Sequence, residues 1–262
     1  MALDARVGFV TQLSMDPVEA VEFAAREGFD YVELMLDGPH SPGRIDGEAV
    51  AEASARTGVD LAAHLPFGGV DLGSPLEHVR AGSCREVEAA VEAAAGFGVE
   101  RAVAHLSTNA WGPAWDDDAV WEALFDSVRR LAAFGRERGC EPCFENVPRG
   151  AFTTHDLPAL FEATDASATL DTGHARIDGR DAGGTAALVA DYPHRVRHVH
   201  LNDTRGPSDE HLPFGAGDLD FETVLRAFPD DWGGTLSLEV FTYSFDYVAA
   251  SKRRLDALLA RL

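Results

Sequence analysis

VRHVHLNDTRGPSDEHLPF, residues 196–214, is the stretch of sequence that best defines the fold. Its first part is an apolar run of strand character that delivers His198 and His200, and the polar loop after it places Asp209 and His211 two residues apart. A strand that ends in His-Leu-Asn-Asp and enters a loop rich in metal ligands is typical of the mouth of a parallel α/β barrel. Any one of these residues alone would also fit a buried core histidine or a solvated loop. The interpretation therefore depends on the partners that the rest of the chain supplies.

Strand-like and helix-like segments alternate along the whole sequence. Apolar runs predict strands at residues 7–10, 31–34, 59–65, 101–106, 141–146, 168–171, 196–201 and 235–240. Helices are predicted after them, at residues 16–26, 46–56, 76–97, 116–138, 156–163, 181–191, 221–227 and 245–262. Eight such units in 262 residues predict a single (β/α)8 TIM barrel that occupies residues 1–262 as one domain. A doubly wound open sheet is the alternative, but no glycine-rich dinucleotide loop follows the first strand.

A potential metal ligand lies at or near the carboxyl end of every predicted strand from the third to the eighth: His64, His105, Glu145, Asp171, His200 and Glu239. In the eighth strand Thr235, Ser237 and Glu239 share one face, and Leu236, Leu238 and Val240 share the face expected to pack on helices. The carboxyl ends of the strands form the active face of such a barrel. The sequence therefore predicts a site there.

A central group of three carboxylates and one imidazole is predicted within that site: Glu145, Asp171, His200 and Glu239. Without a cation, these carboxylates would repel one another and resist ionisation. Such a hard, oxygen-rich ligand set suits Mn²⁺, Mg²⁺ or Co²⁺ and, less selectively, Zn²⁺. Around it we place six residues that orient a polar substrate or hold additional metal ions: His64, His105, His174, Arg205, Asp209 and His211. Glu33 and Asn146 are interpreted mainly as structural hydrogen-bonding groups, and His198 as part of the barrel core.

Composition narrows the function classes. The formal net charge is −22, and Lys252 is the single lysine. An acidic surface so poor in lysine is typical of adaptation to concentrated salt, and it argues against nucleic acid as a partner without excluding it. The sequence has no long apolar stretch and no signal-peptide pattern at its start, so we expect no membrane association and a cytoplasmic location. A homo-oligomer is left open. Cys140 and Cys143 have redox-motif spacing, but we interpret them as buried strand cysteines.

Taken together, these motifs resemble the xylose-isomerase-like TIM-barrel superfamily, which holds sugar isomerases and epimerases together with the endonuclease IV family of apurinic endonucleases. The resemblance covers nearly the whole chain. It depends on the order and spacing of GFDYVEL (28–34), FEN (144–146), LDTGH (170–174), HVHLND (198–203), DEHLPFGAG (209–217) and LE (238–239).

The isomerase and epimerase members imply one catalytic divalent metal ion held by the central group, Glu145, Asp171, His200 and Glu239. By similarity, the ion would bind a substrate carbonyl and a neighbouring hydroxyl and stabilise an enediolate. Glu145 and Glu239 would then take and return a proton at the adjacent carbon. His174 and Arg205 would bind substrate oxygens. The resemblance implies a small sugar, a sugar phosphate or a related polyol or keto compound as substrate.

The endonuclease members imply a different chemistry, in which three zinc ions activate water against a phosphodiester. Their ligands correspond to His64, His105, Glu145, Asp171, His174, His200, Asp209, His211 and Glu239. A zinc-dependent apurinic endonuclease or phosphoesterase is therefore the alternative function. A barrel that only binds a sugar or polyol, as a sensor or accessory subunit, is a third.

Overall fold

The computed structural model describes residue 3 and residues 5–262 of the chain. Its centre is a closed barrel of eight parallel strands paired in chain order, with β1 also paired to β8. The strands are β1 (Arg6–Val10), β2 (Tyr31–Met35), β3 (Asp60–His64), β4 (Arg101–His105), β5 (Glu141–Glu145), β6 (Ser167–Asp171), β7 (Val196–Leu201) and β8 (Thr235–Leu238). The predicted (β/α)8 barrel is confirmed.

Helices surround this barrel. In the described part of the chain they are α1 (Pro17–Glu27), α2 (Gly47–Thr57), α3 (Glu77–Gly96), α4 (Asp117–Arg138), α5 (Leu157–Ala163), α6 (Thr172–Ile177), α7 (Ala182–Asp191), α8 (Phe221–Leu225) and α9 (Phe245–Leu259). The eight predicted helices are all present, although α8 and α9 end before the predicted limits of 227 and 262. The short helix α6, which follows β6 directly, was not predicted.

Local sequence signals explain where the helices begin and end. The Asp16 side chain accepts a hydrogen bond from the Glu19 backbone N–H, so it caps α1 ahead of Pro17. The same helix ends at Gly28, whose positive φ of 73° closes the last turn. Helix α4 is capped by Asp116 and carries acidic residues in its first turn and arginines in its last, as the helix dipole favours.

The apolar core lies between the strands and the helices. Phe9 of β1 packs against Phe23 of α1 and Phe245 of α9, with ring centroids 5.5 and 6.3 Å away. Leu236 and Leu238 of β8 are fully buried in the same core, as the alternation of that strand predicted. All three cysteines are buried and unpaired, and burial raises the pKa of the Cys140 and Cys143 thiols to about 12. None of the described helices has the length and apolar character needed to span a membrane.

The interior of the barrel is polar in its middle, where branched apolar side chains are usual. Tyr31, Glu33, His198 and Ser237 are all buried there, and Glu33 and His198 are fully inaccessible. A Cβ at Gly8 would overlap the Tyr31 ring, so the glycine makes room for this aromatic side chain inside the barrel. The buried polar groups lie directly below the carboxyl ends of the strands.

Candidate metal centre

Six of the predicted ligands come together at the carboxyl ends of the strands. His64, His105, Glu145 and Asp171 are the last residues of β3 to β6, and His200 is the penultimate residue of β7. Glu239 comes directly after β8, where its backbone N–H still donates to the Leu201 carbonyl across 3.2 Å. Because parallel strands end at one rim, these side chains meet in one place.

Four of these residues form what we call the central site: Glu145, Asp171, His200 and Glu239. Nδ1 of His200 lies 3.0 Å from a Glu145 oxygen, 3.2 Å from a Glu239 oxygen and 3.9 Å from an Asp171 oxygen. One candidate ligand atom from each residue lies within 4.8 Å of all the others. All four side chains are buried. This is the group that the sequence analysis placed at the centre.

Asp171 is held by two asparagines and by helix α6. Its Oδ2 accepts a hydrogen bond of 2.5 Å from Asn202, and its backbone N–H donates to Oδ1 of Asn146 across 2.9 Å. Its Oδ1 accepts from the His174 backbone N–H at 2.6 Å, which makes Asp171 the N-cap of α6. Asn146 thus makes the structural hydrogen bonds that we expected, whereas the contact from Asn202 was not predicted.

A second group, the β3–β4 group, consists of His64, His105 and Glu145. Nε2 of His105 lies 2.9 Å from Oε2 of Glu145 and 3.1 Å from Nε2 of His64. Glu145 is therefore shared between this group and the central site. The Phe67 ring stacks on His105, with centroids 4.4 Å apart, and is itself partly exposed.

A third group, the loop group, consists of His174, Asp209 and His211. Asp209 lies 3.4 Å from Nε2 of His174 and 2.9 Å from Nε2 of His211. Nδ1 of His211 lies 3.3 Å from Glu239, which connects this group to the central site. The His211 ring stacks on Phe241 with centroids 3.8 Å apart, and its φ of 43° lies in the left-handed region. Five of the six outer residues that the sequence predicted therefore lie next to the central site.

Asp203 organises the loop that carries Asp209 and His211, a role that the sequence analysis did not predict. Its carboxylate accepts hydrogen bonds from the backbone N–H groups of residues 204, 217 and 219, and its backbone pairs with Leu212. These bonds fold the chain back over the barrel. The sequence signal for this role was an aspartate directly after a strand and ahead of a loop that contains several glycines.

Arg205 is the predicted site residue that the structure does not bring into the centre. Its guanidinium is exposed and donates to the Glu210 carboxylate across 2.6 Å, and its backbone N–H donates to the same side chain. The arginine therefore lies on the loop surface. Lys252, the single lysine, also lies outside the site and donates to Asp256 within α9.

Interactions between the buried carboxyl groups and the neighbouring histidines set the pKa values of the centre in the metal-free protein. Burial raises the pKa of Asp171 to about 7, and Glu239 and Glu145 add to this effect. Burial also favours neutral Glu145 and Glu239, but His200 and the neighbouring histidines outweigh it and hold the pKa of both carboxyls well below the usual range. For His211, burial lowers the pKa, but Glu239 and Asp209 raise it overall to about 11. Protons on imidazoles thus balance the buried carboxylates.

The donor set fits a divalent cation. Oε2 of Glu145, Oε2 of Glu239 and Nδ1 of His211 are buried with no hydrogen bond of acceptable geometry among the described residues, although charged groups lie nearby. Buried polar atoms are normally satisfied, so such atoms call for a further partner such as an ion. Three carboxylates and one imidazole form an oxygen-rich set that hard cations prefer. These residues can therefore hold a metal ion.

Gly173→Ala is expected to destabilise the centre. A Cβ at this position would overlap the Asn202 side-chain amide, which holds Asp171, so Asn202 must shift. We expect a loss of about 1–3 kcal/mol in the free energy of unfolding, which is typical of overpacking a buried site. Thermal unfolding in concentrated salt measures the effect. Gly96→Ala, in α3, has no neighbour within 4 Å of the added Cβ and serves as control. Equal melting temperatures for both variants would contradict the prediction.

Comparisons with known proteins agree with this architecture. An uncharacterised protein of Methanocaldococcus jannaschii is 28% identical over 233 residues, which cover 84% of this chain and 78% of that protein. An inosose dehydratase of Clostridium perfringens is 27% identical over 136 residues, which cover 44% of this chain and 45% of that enzyme.

Solved structures are similar over the full length. A D-tagatose 3-epimerase-like protein superposes with a TM-score of 0.83 at 24% identity and covers 97% of both chains. A D-allulose 3-epimerase of Methylomonas sp., in complex with D-allulose, has a TM-score of 0.80 at 19% identity, over 100% of this chain and 99% of that one. At these identities, the likeness shows the fold.

The family comparison spans most of the chain. The model of the xylose isomerase-like TIM barrel family matches residues 21–261, a range that contains all the strands from β2 to β8 and every residue of the central site. The closed barrel and the ligands at its carboxyl end are thus features of the matched region. This chain belongs to the xylose isomerase-like TIM barrel family.

Proposed function

We propose that the protein is a divalent-metal-dependent isomerase or epimerase of a small sugar, sugar phosphate or related polyol or keto compound. The observation that carries the proposal is the arrangement of Glu145 and Glu239. They approach the same nitrogen, Nδ1 of His200, from the ends of β5 and β8, and each has one buried oxygen that makes no hydrogen bond of acceptable geometry to a described residue. Two carboxylates that approach one centre from different strands suit proton transfer at a carbon bound between them.

In the proposed reaction, residues of this chain bind the metal ion, transfer the proton and bind the substrate. A divalent ion in the central site would act as a Lewis acid that stabilises the negative charge of an enediolate. Glu145 or Glu239 accepts the proton from the carbon next to the carbonyl, and the opposite carboxylate returns a proton. His174 and His211 lie at the rim and would donate hydrogen bonds to substrate oxygens, whereas Arg205 would have to leave Glu210 to do so.

Several further observations support a small carbohydrate as the substrate. The relatives and structural neighbours bear the names of inosose dehydratases and sugar epimerases. Two partly exposed aromatic rings lie beside the centre: Phe67 stacks on His105 and Phe241 stacks on His211. They offer apolar faces next to polar groups. The formal net charge of −22 disfavours large polyanions. The whole of residues 1–262 is proposed to act as one domain.

A second candidate is a zinc-dependent phosphoesterase of the apurinic endonuclease type. One observation favours it: the β3–β4 group, the central site and the loop group adjoin one another and share or contact Glu145 and Glu239. Such adjacent sets would hold more than one ion, and multinuclear sites stabilise both oxygens of a phosphoryl displacement. The two candidates differ in how many ions the protein needs.

His105→Ala and His211→Ala separate the candidates. In a one-ion isomerase, both variants retain one ion per chain, because the four ligands of the central site are intact. In a multinuclear phosphoesterase, each variant loses an ion and the metal-dependent nicking of abasic-site DNA. Elemental mass spectrometry and a nicking assay in concentrated salt measure the two properties. His78→Ala, on the exposed surface of α3, is the control. Nicking by the wild-type protein that both variants lose would overturn the isomerase proposal.

A further inference from the structure

A chain of hydrogen bonds crosses the interior of the barrel below the central site. It begins at Arg101, whose Nη1 donates to the Thr235 hydroxyl across 2.9 Å. Thr235 lies 2.6 Å from Nδ1 of His198, and Nε2 of His198 lies 3.0 Å from Oε2 of Glu33. The other Glu33 oxygen lies 3.0 Å from Nε2 of His200. The chain thus connects the far end of the barrel to a ligand of the central site.

The positions of the protons along this chain follow from the groups that can only donate or only accept a hydrogen bond. Glu33 faces the Ser237 hydroxyl at 2.6 Å as well as the two imidazoles, and a carboxylate among these three donors only accepts. Each imidazole nitrogen that faces it must therefore carry a hydrogen. Arg101 can only donate, so the Thr235 oxygen accepts from it and the Thr235 hydroxyl donates to Nδ1 of His198, which therefore carries no hydrogen. Each contact along the chain thus has one donor and one acceptor.

The same logic fixes the tautomer of His200. Its Nε2 carries the hydrogen that Glu33 accepts, so Nδ1 is the nitrogen available to a cation. Nδ1 is also the atom that faces Glu145, Glu239 and Asp171. Without the Glu33 carboxylate, nothing in this contact would favour one tautomer over the other.

We propose that Glu33 is a positioning residue of the metal centre: its carboxylate fixes the tautomer and orientation of His200 and strengthens Nδ1 as a metal ligand. The inference rests on the metal centre of the proposed function. A carboxylate that receives the free N–H of a ligating histidine orients the ring and raises its basicity, and loss of such a partner lowers metal affinity about 10–100-fold.

Glu33, His198 and His200 also lie close enough together to be considered as a metal site themselves. Their hydrogen bonds argue against this use. Oε2 of Glu33 accepts from Ser237 at 2.6 Å as well as from His198, and Oε1 accepts from His200. A fully buried carboxylate with this set of donors has no oxygen that lacks a partner, unlike Glu145 and Glu239. Its role is therefore to accept hydrogen bonds.

Glu33→Gln tests the proposal, because it keeps the shape of the side chain and removes its charge. Calorimetric titration of metal-free protein with Co²⁺ should show an affinity about 10–100-fold below that of the wild type. The visible absorption of bound Co²⁺ should shift as the coordination of His200 changes. Asp30→Asn is the matched control. Asp30 lies one residue before β2, and among the described residues its carboxylate accepts a hydrogen bond from the Val7 backbone N–H alone. The affinity and the spectrum of this variant should therefore equal those of the wild type.

The outcomes separate this inference from the proposed function. If wild-type protein binds no Co²⁺, the metal centre itself is wrong. If the wild type binds Co²⁺ and Glu33→Gln matches it in affinity and spectrum, the positioning role is overturned and the metal centre stands. If Glu33→Gln does not fold, long-range ¹H–¹⁵N spectra of the zinc-loaded wild type decide. We expect His200 to be protonated at Nε2, and protonation at Nδ1 would overturn the proposal.

Discussion

Glu239→Gln and Glu145→Gln are each expected to lower turnover on the sugar substrate by at least about 100-fold, because general acid–base catalysis alone contributes about 10²–10⁴-fold. Glutamine keeps the size of the side chain but cannot accept the proton that the proposed reaction removes. Both side chains are buried and belong to the central site, so each substitution also removes one negative charge from the ligand set. Loss of activity in both variants is the expected result.

The assay uses a reaction that every substrate of the proposed class would share, the exchange of the proton next to the carbonyl. Metal-loaded protein in concentrated salt is incubated with a panel of ketoses in heavy water, and NMR detects deuterium at the exchanging carbon. Metal content is measured on the same samples, so that loss of the ion is distinguished from loss of the base. Glu141→Gln is the control for Glu145→Gln, because Glu141 begins the same strand at the opposite end of the barrel. Wild-type exchange rates in both active-site variants would refute the mechanism.

Removal of the metal is expected to abolish turnover and to lower the melting temperature. Protein purified in concentrated salt without added metal should contain about one Mn²⁺, Co²⁺ or Mg²⁺ per chain, because the central site supplies three oxygen ligands and one nitrogen. Addition of Mn²⁺ at 100 times its Kd to chelated protein should restore about 2.7 kcal/mol of stability. For a chain of this size that corresponds to roughly 5–10 °C. Elemental mass spectrometry and thermal unfolding measure the two effects.

Asp171→Asn provides the control for this experiment. The variant loses one ligand of the central site, so its melting temperature should respond much less to Mn²⁺. Two or three zinc ions per chain in the wild type would favour the phosphoesterase candidate instead. A protein that contains no metal and gains no stability from Mn²⁺, Co²⁺ or Zn²⁺ would rule out both candidates.

The barrel and the core of its candidate site were accessible from the sequence because both depend on local patterns. Alternating strand and helix signals define the fold, and a polar residue at the end of a strand lies at the rim whatever the loops do. Hence Glu145, Asp171 and His200 meet as predicted. The helix α6 was missed because Asp171-Thr-Gly-His reads as a turn. It forms because the Asp171 carboxylate caps the His174 N–H, although Gly173 disfavours a helix.

The remainder of the site depends on contacts between distant parts of the chain. Asp209 and His211 reach the centre only because Asp203 gathers three backbone N–H groups and folds their loop back. Arg205, in the same loop, is directed to Glu210 instead. Spacing along the sequence does not distinguish these outcomes. Similarly, Glu33 makes structural hydrogen bonds as expected, but the sequence did not identify its partners. They are two histidines of β7, which reach Glu33 across the barrel interior.

The polar interior of the barrel also bears on how the chain closes during folding. The barrel closes where the first strand, β1, pairs with the last strand, β8, and there Gly8 lies opposite Ser237. A closure displaced by two residues would keep every side chain on its proper face, so apolar alternation alone does not reject it. It would, however, carry Ser237 of β8 and His198 of β7 away from Glu33 of β2. An uncompensated buried charge costs about 3–5 kcal/mol, a large part of the stability of a typical domain. The Glu33 carboxylate, which we propose positions His200, thus also destabilises barrels with a shifted β1–β8 register and favours the native pairing of these strands.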